Sequence, residues 1–162
     1  MIQKDYLERA IESFAQIVAF IIGRTRAGNH EDAQSGLQEA AERYIGFSLG
    51  TLDSFSYDGL RSLLRVGGSL DVQRCLMLAD LRVLEARLRD AEGLGELALR
   101  SYSVALRLYM EAADDRGFAV LEGHGELAEI AASHVRSHEL DPEVESALSR
   151  YLAPRQDNAT PD

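Results

Sequence analysis

Apolar side chains return every third or fourth position along most of this chain, the period of helices that bury one face. Tyr6, Leu7, Ile11, Phe14, Val18 and Ile21 trace the first such face. Asp5 followed by Glu8 has capping-box spacing, so a helix is predicted over residues 5–24. Its second half, Ile17-Val18-Ala19-Phe20-Ile21-Ile22, is apolar on every side. One layer of neighbours would leave several of these side chains wet. Either the helix is central, or a second copy of the chain covers it to form a homodimer, with Phe14, Ile17, Phe20 and Ile21 as the self-association residues.

A turn at Gly28-Asn29-His30 precedes a second helical face, Ala33, Leu37, Ala40, Ala41, Tyr44 and Ile45, which is expected to end between Gly46 and Gly50. Within residues 51–69, Leu60, Leu63 and Leu64 predict a short helix packed as a lid, punctuated by Gly59 and the Gly67-Gly68 pair. Asp71 is read as the N-cap of a long helix through Cys75, Leu78, Leu81, Leu84 and Leu88. Its hairpin partner carries Leu97, Ala98, Tyr102, Ala105, Leu108 and Tyr109. Asp114-Asp115 is expected to start a short helix to Glu122, and Leu127, Ile130, Ala131 and Val135 mark another. Asp141-Pro142 opens a last one with Val144, Leu148, Tyr151 and Leu152. No segment alternates with period two for long enough to predict a strand. The expected fold class is all-α, with about six to eight helices stacked as antiparallel hairpins in a single domain over residues 1–152 and a disordered tail over residues 153–162.

The chain also repeats itself. Gly93-Leu94-Gly95-Glu96-Leu97-Ala98 is echoed thirty positions later by Gly123-His124-Gly125-Glu126-Leu127-Ala128. A shared rhythm of small and larger residues follows: Ala98, Tyr102, Ala105; Ala128, Ala132, Val135; and, after Gly28, Ala33, Leu37, Ala40. Small residues at such steps let helices approach closely while the bulkier one fills the groove between them. The pattern resembles the second helix of a tetratricopeptide hairpin, best at Ala98, Tyr102 and Ala105 preceded by Leu81, Leu84 and Leu88. It departs from that family in a longer turn at residues 90–95, in lacking the terminal Pro, and in a repeat shorter than the usual 34. The resemblance implies a tetratricopeptide-like fold. The opening Ile2-Gln3-Lys4-Asp5-Tyr6-Leu7-Glu8-Arg9, with the Gly28 to Ala33 turn and Tyr44-Ile45-Gly46, further resembles a family of small bacterial helical proteins of unknown function. That likeness implies a bacterial cytosolic setting and no assigned activity.

Composition narrows the function. A formal charge of -10 repels phosphate backbones, so nucleic acid is not an expected partner. The acids concentrate late: residues 111–145 hold ten of them against Arg116 and Arg136, which predicts an acidic solvated face. The apolar run at residues 14–22 is far shorter than the roughly 20 residues that cross a bilayer, so no membrane insertion is expected. Asp5, Glu8 and Glu12 precede it where a signal peptide is positively charged. Cys75 is the single cysteine, which suits a reducing, cytoplasmic compartment, and its apolar helical setting predicts a buried thiol without catalytic work.

Candidate chemistry is sparse, and no cofactor is predicted. The Gly93 and Gly123 segments fit the spacing of a dinucleotide fingerprint, but that fingerprint works where a strand feeds a helix, and here helices precede both. His134 and His138 share a helix face at metal-binding spacing, with Glu126 a turn or two away and no third ligand specified by motif. In a tetratricopeptide register, Arg82, Ala86 and Arg89 face the concave groove, where arginines grip carboxylates by paired hydrogen bonds. Glu85 and Arg89 also have the spacing of an ordinary i,i+4 ion pair. The expected function is a non-enzymatic interaction module that takes a protein or peptide partner in that groove, self-associates through its first helix, or both. A metal-dependent or small-ligand enzyme using His134 and His138, and a structural subunit of a larger assembly, are the alternatives.

Overall fold

Four of the helices begin where a side chain satisfies an otherwise orphaned backbone N–H. The computed structural model describes residues 2–157. Helix α1 spans Ile2–Arg26, and Asn29 caps α2, His30–Ala40, by accepting from the Asp32 amide. A five-residue π-helical turn, Ala41–Ile45, continues α2 and stops at Gly46, whose φ of 97° places it in the left-handed region. The Arg74 guanidinium donates to the Ile45 carbonyl at 2.6 Å, which satisfies an acceptor at that helix end.

Two short helices follow, α3 over Leu49–Asp53 and α4 over Tyr57–Leu63, capped by the hydroxyls of Ser48 and Ser56. The structure adds an element the sequence does not predict. Arg65–Val66 (β1) and Ser69–Leu70 (β2) pair antiparallel across Gly67-Gly68, too briefly for any alternation to register. Asp71 caps α5, Val72–Ala91, as expected. Helix α6 runs over Gly95–Arg116, so Asp114-Asp115 lie in its last turn and do not start a new helix. Gly117, at φ 89°, ends it, and a 3-10 segment over Phe118–His124 leads into α7, Gly125–Val135. The last helix, α8, covers Pro142–Asp157 with Pro154 inside it, so the expected tail does not begin at residue 153. The remainder of that tail, residues 158–162, lies outside the described residues.

The fold is all-α, built of stacked antiparallel pairs. Ser13 and Phe14 meet Tyr44 at one end of the α1–α2 pair, while Arg24 meets Asp32 at the other. Cys75 reaches Leu108 and Asp90 reaches Tyr102 along the α5–α6 pair. Helix α7 returns along α6, with Tyr102 against His134 and Tyr109 near His124. Helices α5 and α6 form the centre, and α1, α2, α7 and α8 pack around them. The repeat seen in the sequence has a structural counterpart: Gly95 and Gly125, thirty residues apart, are each the first residue of a helix. All nine residues of the small-and-large rhythm are buried. Burying such side chains contributes about 1.5–3 kcal/mol for each large aliphatic one.

The structure revises the reading of α1. Phe14 and Ile21 face α2 and are buried, so they are unavailable to a second copy. Ile17 packs partly on the core, and Phe20 remains 43% exposed. Helix α1 is peripheral, and its exposed apolar face is the earlier stretch of Tyr6, Leu7 and Ile11. No described helix is long and apolar enough to cross a membrane.

Candidate functional site

The expected concave face of α5 is roofed. Helices α3 and α4 lie over it, and Asp53, the last residue of α3, reaches down to the Arg82 guanidinium at 2.8 Å. Arg82 is 3% exposed and also bonds Glu85 Oε1 at 2.9 Å, with Glu85 equally buried. Arg89 approaches Glu85 Oε2 at 3.3 Å and Asp53 Oδ2 at 3.7 Å, and it donates to the Ser101 hydroxyl at 2.7 Å. Ser101 in turn donates to Glu85 Oε1 at 2.8 Å. Charges taken this far from water persist only when paired and hydrogen-bonded, and Glu85 has three such partners. Ala86, expected to line the groove, is fully buried and packs in the core.

What remains of the groove is a cavity of about 360 Å³ between α3–α4 and α5–α6. Arg82, Arg89 and Arg100 supply its polar side, and Leu52, Phe55, Leu60, Leu97 and Val104 its apolar one. Phe55 and Leu97 are 38% and 40% exposed at its mouth. Two buried polar atoms of lining residues, Arg82 Nε and the Tyr57 hydroxyl, have no hydrogen-bond partner among the described residues. Burial pushes the Tyr57 phenol well above its ordinary range, reinforced by the Glu111 carboxylate, and the Arg107 guanidinium stacks 3.5 Å over its ring. Sequence reasoning located Arg82 and Arg89 but missed Asp53, Ser101, Tyr57 and Arg100. None of these carries a motif, and they meet only because α3–α4 folds back over α5.

A second polar cluster lies inside the helical core. Asp80 accepts from the Tyr109 hydroxyl at 2.5 Å and from His124 Nδ1 at 2.7 Å, and both Asp80 and Tyr109 are buried. Burial, followed by the Asp80 carboxylate, raises the Tyr109 phenol well above its ordinary range. Among the described residues no Ser, Thr or Cys side chain bonds this pair. The Cys75 thiol donates to the Leu108 carbonyl at 3.2 Å and is fully buried.

The histidines proposed for a metal are engaged otherwise. His134 stacks on Tyr102 with ring centroids 4.1 Å apart and approaches Asp90 at 3.6 Å, and each of His134 and His138 turns its Nδ1 to the carbonyl four residues earlier. Glu126 is exposed on α7, and among the described residues no three His, Cys, Asp or Glu side chains are grouped to hold an ion. The late acids Glu122, Glu126, Glu129, Glu139, Asp141, Glu143 and Glu145 are all exposed, as the charge pattern predicts. Compared with known proteins, the chain matches no protein family, no curated protein and no solved structure.

Proposed function

We propose that this chain is a non-catalytic interaction module that docks a segment of a partner protein in the groove between α3–α4 and α5–α6, within a tetratricopeptide-like, cytoplasmic protein. The observation that carries this reading is the joint lining of one cavity by guanidinium groups and half-exposed apolar side chains. Such mixed lining gives a docked segment both apolar area and orientation. The Asp80–Tyr109–His124 cluster is spent on its own hydrogen bonds, which favours a structural role for the most enzyme-like residues of the fold.

The test compares capture from a lysate of the native cells by wild type, by Leu97→Asn and Arg100→Gln, and by Glu143→Lys on the far acidic surface. Partners kept by Glu143→Lys and lost with both groove variants support the reading. Partners retained by the groove variants remove it. Self-association through Tyr6, Leu7 and Ile11 is a second reading, favoured by the 76% exposure of Tyr6 on a helix that packs elsewhere. A monomeric mass by light scattering at high concentration would dismiss it.

A further inference from the structure

The charges around the groove do not balance, and their arrangement identifies what a docked segment must bring. Three guanidinium groups, from Arg82, Arg89 and Arg100, line the cavity, against two carboxylates in contact with them, Asp53 and Glu85. The site therefore carries a local positive excess in a chain whose formal charge is -10. Arg100 is exposed and makes no ion pair among the described residues.

The two internal carboxylates differ in kind. Glu85 is held from three directions, its side chain 4% exposed. Asp53 comes from the rim, its side chain 47% exposed, with one close contact to Arg82 and a loose one of 3.7 Å to Arg89. It sits on the last residue of a five-residue helix, the end where the peptide dipoles disfavour an anion. A half-solvated contact of this kind contributes only about 0–1 kcal/mol, so it yields readily to a competitor. Elsewhere in the lining, Arg82 Nε and the Tyr57 hydroxyl are buried with no hydrogen-bond partner among the described residues, donors that the present packing leaves unused.

We propose that the groove recognises a carboxylate on the docked peptide, an Asp or Glu side chain beside a Leu or Phe, and that Asp53 occupies the arginines until that carboxylate displaces it. The inference rests on the docking reading above. Arg89 and Arg100 supply the exchangeable hydrogen bonds, Phe55 and Leu97 cover the neighbouring apolar side chain, and Glu85 holds the Arg82 and Arg89 guanidiniums in place throughout. Arginine suits the task because its planar fork matches a carboxylate by two parallel bonds.

The experiment is an array of hexapeptides that pairs Leu or Phe with Asp or Glu at every spacing, set beside the same array with Asn and Gln, followed by titration of the best binder in solution. The acid form should bind about ten- to a hundredfold more tightly than its amide, as expected for losing a charge-assisted hydrogen bond. Arg100→Gln should erase most of that difference. Asp53→Asn should tighten acid binding by up to about fivefold without helping the amide form, the size of effect expected from removing a competing carboxylate that is itself half-solvated. Circular dichroism on each variant certifies the fold. Equal binding of acid and amide peptides, both lost in Leu97→Asn, would leave the groove a docking surface and remove the carboxylate anchor. No peptide binding, or binding indifferent to Leu97→Asn, removes the groove and this inference together. Succinate alone binding as tightly as the peptide makes the site one for small anions and overturns the docking of a partner segment. Weaker acid binding by Asp53→Asn would make Asp53 part of the receptor and end its role as competitor.

Discussion

Asp80 and His124, 44 residues apart, meet at 2.7 Å inside the helical core, and this contact fixes the 3-10 segment between α6 and α7 to the middle of α5. The Tyr109 hydroxyl bonds the other carboxylate oxygen, so Asp80 is buried with both oxygens engaged. Tyr109→Phe keeps the ring and deletes one donor, and the orphaned oxygen should cost about 1–3 kcal/mol in urea unfolding. His124→Gln should cost a similar amount. Because both act on one carboxylate, the double variant should deviate from the sum of the singles by about 0.5 kcal/mol or more. Strict additivity would mean that the three residues do not work as a unit.

Gly36 sets how closely α1 approaches α2. A Cβ built there would stand 2.9 Å from Ile21 Cγ1 and 3.3 Å from Phe20 Cδ1. Alanine in place of glycine would ordinarily stabilise a helix interior by about 1 kcal/mol. Here the methyl meets Ile21, which is fully buried and has no room to retreat. Gly36→Ala should therefore gain nothing, and Gly36→Val should destabilise by about 1–3 kcal/mol, the usual cost of overpacking. Ile21→Ala, which removes the contacting Cγ1, should make the two changes cost less together than their separate losses sum to. A melting temperature raised by Gly36→Ala would show that the two helices are free to part.

Arg82 and Arg89 should respond very differently to truncation. Arg82→Ala leaves Glu85 buried beside fewer cations and should cost about 3–5 kcal/mol. Arg89 is more exposed, and Glu85 keeps Arg82 and Ser101 without it, so Arg89→Ala should cost less than half as much. Arg82→Leu paired with Glu85→Leu, which removes both charges, should recover much of the loss, since a buried pair replaced by apolar groups is close to neutral. Chemical denaturation of the four proteins decides the matter, and equal losses for the two single alanines would contradict the burial difference.

The sequence announces the long helices because each carries many turns of the same pattern: Leu78, Leu81, Leu84 and Leu88 in α5, and Ala98, Tyr102 and Ala105 in α6, are all buried as their spacing requires. Helix α3, with five residues, and α4, with seven, are too short for periodicity to fix a face, and their position over α5 is set by tertiary packing. That placement turned Arg82 from a groove residue into a buried one, and Ala86 is core. The same limit hid the contact of Asp80 with His124, since a pairing across 44 residues leaves no local trace. Phe14 and Ile21 are unavailable to a second copy for a related reason: an all-round apolar stretch does not say which side its neighbours take, and α2 and α5 took the side of these two while Phe20 stayed half-exposed.

Alkaline pH should loosen this core from its centre. The Cys75 thiol is pushed from 9.0 up to about 12, first by burial and then by the Glu111 and Asp71 carboxylates. Tyr109 moves in the same direction, again chiefly through burial. Where the folded value lies above the unfolded one, the unfolded chain releases its proton first as pH rises. The stability these groups contribute is thus complete below their unfolded values, and it is lost as pH climbs towards the folded ones. For Cys75 that window runs from 9.0 to about 12. The urea midpoint should stay level up to about pH 8 and then fall, and Cys75→Ala should fall less steeply across the window. Over the level range the native thiol should be silent to a disulfide reagent and release one equivalent only after unfolding, because the thiolate that attacks is suppressed and shielded. Rapid labelling of the native protein at about pH 8, or a midpoint that holds constant through the alkaline window, would place the thiol outside the core.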